Sequence, residues 1–519
     1  MLSKISIFPR TKVGKILSLT TLLGLTGSAT IFLYEKDLRT HPVQIVKGMI
    51  RSGRMAICGV RMANIYLSPF YRDLSDEEKN YKAADILRQT FIKNSGTFIK
   101  LGQVLACLDV LIPDQYCEVM SHMFQNAPNN SFEDVKKIIE SDIGAPLEQI
   151  FSDFDVKPQA SASLAQVHKA ILKKNGKLVA VKVQHPWLKE TVQLDIDVFS
   201  LGIKLAGKLF NEFNYQWLID DMNTNLPAEL DFRNEAKNCM KIRGMLKNKN
   251  IKAPFVYENI SSSKVLVMEY IDGYSITDVE RMKKDGINVS QVAKLIANCF
   301  NDMIFKKGFV HADPHPGNIF ITPKKHGDFD LVLLDHGLYR NLSELTRHNY
   351  SNLWTGIILQ KEDIIKDACE KLGVGEQYPL FTAMVTNQQY SQVMNKDESD
   401  IKHRLQGKKT DGKKNKEKAK NLALHFRRQI IWCLEKMNRE LVLIFKVNDY
   451  IKSIDNKLGK PVNNYYYITQ YALNDYIRTT SFKSVWHKLY FKWLRFKILI
   501  SIKIYEFYLS FLPSNTISI

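Results

Sequence analysis

Apolar residues recur every three or four positions through residues 76–150, which predicts helices there. The pattern is clearest from Asn80 to Asp109, where the sequence Asn94-Ser95-Gly96 interrupts it. A further helix is expected to begin within Asn130–Asp134, because an acceptor side chain precedes two acids there. The arginine-containing residues 36–75 indicate a short basic helical linker.

The pattern changes to strand type after residue 150. Residues 151–195 combine a turn region rich in small residues with an apolar strand at Leu178–Val183. The remaining predicted elements are a second buried strand, Lys264–Met268, and helices over Val192–Phe210, Trp217–Met245 and Val289–Phe309. Strands first and helices later indicate an α+β fold, with a small strand-rich lobe followed by a larger helical lobe.

A polar loop in the second half of the chain carries candidate chemistry. In Val310–Asn318, an Asp is followed five residues later by an Asn. This is the catalytic-loop spacing of a kinase, in which the Asp (Asp313) meets the phosphoryl acceptor and the Asn (Asn318) holds a metal. Asp335 follows an apolar strand seventeen residues later and supplies a second metal-binding carboxylate. Such hard oxygen ligands suit Mg²⁺, and a simple proline-rich turn would not explain Asp335 at this distance.

Lys182 lies within an apolar strand pattern, where an unpaired ammonium group would be costly. It therefore needs partners, and a phosphate together with a helix carboxylate would supply them. The candidate carboxylates are Glu229, Asp231 and Glu235. Glu229 and Asp231 are two residues apart and cannot share a helix face, whereas Glu235 is four beyond Asp231 and is expected to share its face. A surface lysine at a strand edge is the plain alternative, which the downstream motifs disfavour.

The glycine-rich phosphate loop of a kinase is absent. Its position is taken by Pro158–His168, in which Ala160, Ser161, Ala162 and Ser163 stand where glycines would be expected. Alanine and serine stiffen the backbone and block the closest approach that glycine allows. We therefore expect a triphosphate to sit differently from its position in a protein kinase.

The chain has 519 residues, which is too long for one compact core, and a net charge of +19. Such a charge indicates an anionic partner. No nucleic-acid-binding signature is present, so nucleotide and anionic membrane lipid are the expected partners, and protein partners are left unknown. The seven cysteines are scattered without CxxC spacing, which argues for reduced thiols and against a disulfide framework or structural zinc.

The N-terminus has the composition of a mitochondrial import segment. Residues 1–34 contain basic residues and no acid, and Ile16–Tyr34 is an uncharged, mostly apolar run. This run is just long enough to span a bilayer, although glycines and threonines weaken it as a span. A secretory signal-anchor is the competing interpretation, which the scattered cysteines disfavour. Whether the segment is cleaved stays open.

Two later segments are unusual in composition. Lys408–Lys420 holds seven lysines and predicts a solvated loop, with contact to a lipid surface as an alternative. Trp486–Leu512 mixes basic and aromatic residues and is too interrupted by charge to span a bilayer. Such a helix either lies in a membrane interface or packs on the large lobe, and the sequence leaves both alternatives open.

These motifs resemble the UbiB/aarF-domain family of atypical kinase-like proteins over residues 90–345. The most specific element is Phe98–Gln103, which is similar to the family's KxGQ signature. Ala160–Ser163 resembles its alanine-rich loop, and Glu229 with Asp231 its ExD pair. Glu235 corresponds to the helix glutamate that pairs with Lys182, and the three predicted catalytic-loop and metal positions also match.

The resemblance implies a bilobal protein-kinase-like fold with a helical KxGQ extension, ATP or ADP and Mg²⁺ as cofactors, and ATPase activity. It implies that the KxGQ helices cover the place where a protein substrate would bind, and it links members to coenzyme Q and mitochondrial lipid homeostasis. The implied site residues are catalytic Asp313 and Lys182; nucleotide-binding Lys182, Glu235, Ala160, Ser161, Ala162, Ser163, Met268 and Tyr270; metal-binding Asn318 and Asp335; and Lys100, Gln103, Glu229 and Asp231 of the regulatory extension.

We therefore predict an Mg²⁺-dependent ATPase, or a phosphotransferase acting on a small molecule or lipid, at the mitochondrial inner membrane. A nucleotide-gated scaffold without catalysis is the alternative. A true protein kinase is disfavoured, because the glycine loop is absent and Ala312 stands where many protein kinases have Arg. The predicted segments are a targeting segment (1–35), linker and KxGQ extension (36–150), small lobe (151–275), large lobe (276–480) and C-terminal helix (481–519).

Overall fold

A computed structural model gives the fold of the chain. It describes residues 42–106, 112–124, 129–186, 188–209, 216–246, 248–386, 437–459, 462, 464–480 and 484–510. Within these residues the chain forms two compact units. Unit 1 contains the described residues up to Ala236 together with Val256–Tyr270. Unit 2 contains Lys237–Phe255 and the described residues from Ile271 onward.

Helices and strands both contribute, as the predicted α+β class requires. The helices are α1 Pro42–Leu67, α2 Asp76–Asn94, α3 Thr97–Ala106, α4 Asp114–Ser121, α5 Phe132–Ile143, α6 Leu147–Ile150, α7 Leu188–Leu209, α8 Gln216–Glu229, α9 Phe232–Met245, α10 Val279–Lys284, α11 Val289–Asn301, α12 Glu344–Leu359, α13 Glu362–Lys371, α14 Tyr378–Thr386, α15 Arg439–Lys457, α16 Asn464–Thr479 and α17 Val485–Ser510. The strands are β1 Phe151–Phe154, β2 Ala160–Ser161, β3 Ala165–Leu172, β4 Leu178–Gln184, β5 Ile251–Lys252, β6 Val265–Glu269, β7 Tyr274–Ser275, β8 Phe309–His311, β9 Ile319–Pro323, β10 Phe329–Leu333 and β11 Tyr339–Asn341.

Unit 1 is built on an antiparallel sheet with the strand order β1-β3-β4-β6, and β2 pairs with β3. Val179, Val181 and Val183 of β4 are fully buried and pack in one cluster with Val135 and Ile139 of α5. Since side chains alternate along a strand, the residues between these valines point to the opposite face. This alternation places Lys182 on the face away from the α5 core.

Helices α1 to α4 belong to unit 1 together with this sheet. The division of residues 36–150 from the small lobe stays a prediction. Helix α2 begins with a capping box, in which Ser75 and Glu78 each accept the other's backbone N–H. It ends where predicted, because Ser95 and Gly96 both have positive φ angles, of 56° and 55°. Helix α3 then buries Phe98, Leu101 and other apolar side chains.

A buried ion pair ties α1 to α7. Arg51 Nε donates to Asp195 Oδ1 at 2.9 Å, and the guanidinium lies 5.3 Å from the centre of the Phe98 ring. Asn94 Nδ2 donates to the Arg51 carbonyl at 3.2 Å, which adds the end of α2 to the contact. Burial raises the pKa of Asp195, and the neighbouring Arg51 opposes that rise.

The predicted helix Trp217–Met245 is two helices, so this prediction was wrong at Leu230 and Asp231. The Leu230 carbonyl accepts a hydrogen bond from Gln184 Nε2 at 2.9 Å, and Asp231 Oδ1 accepts one from the Arg233 backbone N–H at 3.1 Å. These two hydrogen bonds pair backbone groups at the break with side chains. The expectation that Asp231 and Glu235 share a helix face was also wrong, because Asp231 precedes α9.

The described residues of unit 2 form two sheets. In the larger, with strand order β5-β10-β9-β7, β10 runs parallel to β5 and antiparallel to β9. In the smaller, β8 and β11 pair antiparallel and place His311 opposite Tyr339. Helix α11 continues as a π-helical turn, Asp302–Lys307, that ends at Gly308 with φ of 65°. The chain therefore enters β8 directly from a buried helix.

The C-terminal helices of unit 2 pack against one another. Helix α12 contacts α13 and α16, and α17 contacts α16. Phe491 and Ile498 of α17 are buried, and the rings of Phe491 and Tyr476 are 5.2 Å apart. One face of α17 is therefore packed, as one of the two alternatives predicted, while its other face is exposed.

The segments Ile16–Tyr34 and Lys408–Lys420 lie outside the described residues. Among the helices that the structure describes, none combines the length and the apolar character that crossing a bilayer requires. In the part of the chain that the structure describes, five cysteines are free thiols and all five are buried. They are Cys58, Cys117, Cys239, Cys299 and Cys369.

We predict that Arg51→Met lowers the free energy of unfolding by about 3 kcal/mol, because it leaves the Asp195 carboxylate buried without its partner. Arg54→Met is the matched control, since Arg54 is exposed and donates to the Lys93 carbonyl. Its cost should be less than about 1 kcal/mol. Denaturant titration followed by circular dichroism measures both, and equal losses would contradict a structural role for the Arg51–Asp195 pair.

Candidate active site

The first group of predicted residues lies in unit 1, where Lys182 meets Glu235. Lys182 Nζ is 2.8 Å from each carboxylate oxygen of Glu235. Their side chains are only 12% and 3% exposed. Glu235 lies in the first turn of α9, and the Phe232 N–H that opens this helix donates to the Ser263 carbonyl. The sheet and the start of α9 thus hold a lysine and a carboxylate in one nearly buried pair.

The aromatic ring of Phe232 completes the surroundings of this lysine. Lys182 Nζ lies 5.3 Å from the ring centre. A cation over an aromatic face is attracted to it, and the attraction is greater in a desolvated place. The ammonium group is therefore oriented by two contacts from the same helix turn, which is what a phosphate-binding lysine requires.

The predicted extension residues form a second ion pair in unit 1. Lys100 Nζ is 2.8 Å from Glu229 Oε2, and both side chains are largely buried. Asp231, the other acid of the ExD pair, instead binds the guanidinium of Arg233, with Nε 2.8 Å from Oδ1. The structure therefore joins the KxGQ helix α3 to the end of α8 through Glu229.

The other two KxGQ residues contact Met123. Gln103 Nε2 donates to the Met123 carbonyl at 3.3 Å. A Cβ atom on Gly102 would come within 2.9 Å of Met123 Cγ, so glycine permits this close approach. In this chain Gln103 and Gly102 fix the position of α3, and Lys100 is the member of the signature that carries an ion pair.

The alanine-rich loop is held by side chains that the sequence analysis missed. His185 accepts or donates at both ring nitrogens, with Nε2 2.9 Å from the Ala162 carbonyl and Nδ1 2.6 Å from Asn130 Nδ2. Because the Ala162 carbonyl can only accept, Nε2 must carry the proton and Nδ1 must accept from the Asn130 amide. The Asn130 N–H donates to Gln166 Oε1 at 2.7 Å. A histidine directly after a buried strand was the available sequence signal.

The loop residues themselves adopt a tight turn. Ala160 and Ser161 form the short strand β2, and the Ala162 N–H donates to the Ala165 carbonyl at 2.7 Å. Ser163 is buried. The backbone in this loop is thus fixed by hydrogen bonds within unit 1, in addition to the stiffening that alanine provides.

Met268 and Tyr270, predicted to bind nucleotide, lie in and just after β6. Met268 is buried and pairs with Ala180 of β4. The Tyr270 N–H donates to the Leu178 carbonyl, and Lys169 Nζ lies 5.2 Å from the Tyr270 ring centre. Met268 therefore lies within, and Tyr270 directly after, the strand that pairs with the Lys182 strand β4. A direct role of either residue in nucleotide binding stays a prediction.

The second group lies in unit 2, where hydrogen bonds bring the Asp313 and Asp335 loops to Asn318. Asn318 Nδ2 donates to the Asp313 carbonyl at 3.3 Å, and the Leu334 N–H donates to the Asn318 carbonyl at 2.9 Å. Asp335 Oδ1 accepts from the Gly337 N–H at 2.9 Å. The amide of Asn318 uses its donor end in this network, and its acceptor end is the kind that binds Mg²⁺.

The chemistry of this donor set fits Mg²⁺. Asn318 and Asp335 offer an amide oxygen and a carboxylate, and Mg²⁺ commonly takes one or two such protein ligands together with phosphate oxygens and water. Among the described residues, no group of three or more His, Cys, Asp and Glu side chains is arranged to hold a metal ion. An amide oxygen and a carboxylate would leave the remaining Mg²⁺ coordination positions to phosphate oxygens and water.

A buried aromatic layer supports the predicted catalytic loop. The His311 ring lies 4.9 Å from the Tyr339 ring, and its Nδ1 accepts from the Asp313 N–H at 3.2 Å. Burial lowers the pKa of His311, against the opposing effect of Asp335 and Asp313. His336 Nε2 lies 2.9 Å from the Leu333 carbonyl and Nδ1 3.1 Å from the Tyr339 hydroxyl. Both histidines thus act as supports for the loop backbone.

Lys446 lies near the predicted catalytic loop, and no sequence motif indicated it. Its Nζ lies 3.8 Å from Asp313 Oδ1, and it comes from α15, far along the chain. The Lys446 side chain is partly exposed, so the contact is weaker than that of Lys182 with Glu235. The structure thus places one cation from α15 beside the Asp313 carboxylate.

Comparison with known proteins decides the family. Residues 122–368 match the ABC1 atypical kinase-like domain. A Drosophila melanogaster protein described as AarF domain-containing kinase 1 is 37% identical over 423 residues, which cover 79% of this chain and 80% of that protein. This chain belongs to the ABC1/AarF family of atypical kinase-like proteins. Its predicted family and kinase-like fold are thereby confirmed.

Two further relatives support membership of the ABC1/AarF family. A mouse protein described as AarF domain-containing protein kinase 1 is 36% identical over 70% of this chain and 68% of its own length. An Arabidopsis thaliana protein described as a putative ABC1 protein is 36% identical over 73% of this chain and 72% of its own length. The similarity therefore extends across animals and plants and well beyond the catalytic loop.

We predict that His185 makes this ABC1/AarF chain less stable at acidic pH. Burial lowers the pKa of His185, so the folded chain keeps the ring neutral while the unfolded chain protonates it below about pH 6.5. The unfolded state then binds more protons, and the His185 contribution to stability is lost as pH falls through that range. A glutamine at this position can still donate to the Ala162 carbonyl and does not titrate.

Melting temperatures at pH 7.5 and 5.5 check this. Between pH 7.5 and pH 5.5, the melting temperature of the wild type should fall further than that of His185→Gln. His122→Gln, which changes an exposed histidine of the same unit, is the control and should show the same fall as the wild type. An identical pH dependence in wild type and His185→Gln would show that His185 does not hold the loop as a neutral ring.

Proposed function

We propose that this chain is a membrane-associated mitochondrial enzyme that binds ATP or ADP with Mg²⁺ and cleaves the terminal phosphoanhydride bond. The observation that carries the proposal is the Lys182–Glu235 pair, in which a nearly buried ammonium is held by one carboxylate. The triphosphate of ATP carries several negative charges, and binding it requires a fixed cation. Membership of an atypical kinase-like family supports the same function.

Each residue then has a defined task. Lys182, oriented by Glu235, contacts phosphate oxygens. Asn318 and Asp335 would hold Mg²⁺, which neutralises charge on the phosphate oxygens when it is bound. Asp313 accepts the proton of the attacking water or acceptor hydroxyl, and the His311 ring fixes the Asp313 backbone N–H.

Water, a small molecule or a lipid is the acceptor that we propose. A protein acceptor is disfavoured, because Ala160–Ser163 replace the glycine loop and Ala312 replaces a common arginine of protein kinases. The Lys100–Glu229 pair fixes the KxGQ helix beside α8, consistent with an extension that limits access for protein substrates. A role in mitochondrial lipid homeostasis, with coenzyme Q as one candidate lipid, follows from the family resemblance.

The mitochondrial membrane location rests on the N-terminal composition and on α1. Residues 1–34 are basic and acid-free, and Ile16–Tyr34 is apolar. Helix α1 follows this segment, and its Val46, Met49, Ile50 and Ile57 side chains are exposed at helical spacing. Such a face suits a helix that lies beside a bilayer, and we assign it to the inner membrane.

A catalytically silent, nucleotide-gated scaffold is the second candidate, and the Lys446–Asp313 contact favours it. A lysine beside the general base competes with a substrate hydroxyl for the same carboxylate. In such a scaffold, ATP and Mg²⁺ would bind without turnover and would alter a lipid- or protein-binding surface.

We expect Asp313→Asn to bind ATP with nearly the wild-type affinity but to lose at least about 100-fold in Mg²⁺-dependent hydrolysis, because it removes the general base. Calorimetry measures the binding, and phosphate release measures the turnover. Asp328→Asn, which changes an exposed acid of the same unit, is the control and should leave both unchanged. Tight ATP binding without turnover by the wild type would favour the scaffold, and absence of ATP binding would overturn both functions.

A further inference from the structure

Helix α17 carries two apolar faces on opposite sides. Phe491, Leu494 and Ile498 form the packed face, which contacts α16 through residues such as Tyr476 and Leu473. At about 100° per residue, a second stripe lies on the opposite side. Its exposed members are Trp486, Leu489, Tyr490, Trp493, Phe496, Ile500 and Ile504.

This exposed stripe is too long and too aromatic to be an ordinary surface. Trp486 is 81% exposed and Trp493 54% exposed. From Trp486 to Ile504 the stripe runs for about 27 Å, at 1.5 Å per residue. Continuous exposed apolar faces of this kind mark interaction surfaces, and tryptophan and tyrosine are enriched where a protein meets the boundary of a bilayer.

The charges around the stripe have one sign. The segment from Tyr476 to Tyr505 contains no acidic residue, and Lys488, Lys492 and Lys497 are exposed on α17. Lys497 Nζ lies 5.4 Å from the centre of the Trp493 ring. Lysines beside an apolar stripe place their ammonium groups at the headgroup level while their stems cover apolar surface.

We propose that the exposed stripe of α17 lies in the interface of an anionic lipid bilayer, with these lysines on the lipid headgroups. An apolar stripe suits acyl chains and does not suit the phosphate backbone of a nucleic acid. The proposal rests on the membrane location in the proposed function and is independent of catalysis. It adds a lipid contact in unit 2 to the membrane association that we propose for the N-terminal segment.

Brominated lipid, which quenches tryptophan fluorescence within a bilayer, tests this with the full chain. Vesicles would contain phosphatidylcholine alone or phosphatidylcholine with cardiolipin. The difference in quenching between the wild type and Trp486→Phe/Trp493→Phe measures the contribution of α17. Membrane binding by the N-terminal segment does not enter this difference, because it is common to both proteins. We expect that part to be large with cardiolipin vesicles and small with neutral vesicles.

Charge variants make the test specific. In Lys488→Gln/Lys492→Gln, the cardiolipin-vesicle concentration needed for half-maximal quenching should rise at least about tenfold. Each lysine at an anionic surface contributes roughly a factor of five to the binding constant. Lys283→Gln/Lys284→Gln removes the same charge from the exposed surface of α10 and should leave the quenching unchanged. Equal effects of the two variants would show that only net charge matters and would overturn the proposal.

Two further results would overturn it. Trp486 and Trp493 would stay unquenched with both vesicle types if the stripe does not enter the bilayer. If acrylamide fails to reach them without vesicles, another segment or a second copy of the chain covers the stripe. ATP binding and hydrolysis are measured on the same samples, so failure of the lipid contact is distinguished from failure of the proposed enzyme.

Discussion

The pairing of Lys182 with Glu235 is the constraint on which the candidate site depends. Valine packing on one face of β4 sets the strand's alternation and so places a lysine on the other face. There the ammonium is nearly buried, and without a carboxylate it would cost several kcal/mol. The break between α8 and α9 at Leu230 and Asp231 leaves Glu235 in the first turn of α9, where it meets this ammonium. The last residue of α8, Glu229, forms a second pair, with Lys100.

Two further ion pairs between a cation and a carboxylate occur in the N-terminal helices. Lys100 and Arg51 place cations against Glu229 and Asp195, and each pair joins helices that are distant in sequence. Glycine at position 102 lets α3 approach the Met123 side chain closely, and Gln103 donates to the Met123 carbonyl. Buried ion pairs of this kind add little stability compared with apolar packing, but they penalise any arrangement that separates the partners. The position of the KxGQ helix is thus specified by charge as well as by packing.

Much of the fold and of the candidate site could be predicted because its signals are local. The strand around Lys182, the break at Ser95 and Gly96, and the Asp313–Asn318 spacing are all visible within short windows of sequence. What could not be predicted depends on contacts between distant residues. At the helix break, the Leu230 carbonyl binds Gln184, which is distant in sequence. The alanine-rich loop is held by His185 and Asn130. Lys446 of α15 lies beside Asp313, and no sequence motif marks it. Periodicity also could not show that α17 is packed on one face and exposed on the other.

We propose that the ammonium group of Lys182 serves nucleotide binding and not folding alone. The most direct measurement is the affinity for ATP with Mg²⁺ of the wild type, Lys182→Met and Lys182→Met/Glu235→Leu, beside their melting temperatures. The double variant removes both charges, so it should recover stability relative to Lys182→Met. Its ATP affinity should nevertheless stay at least about tenfold below that of the wild type, because the phosphate-binding cation is absent. A double variant that binds ATP as tightly as the wild type would contradict the claim.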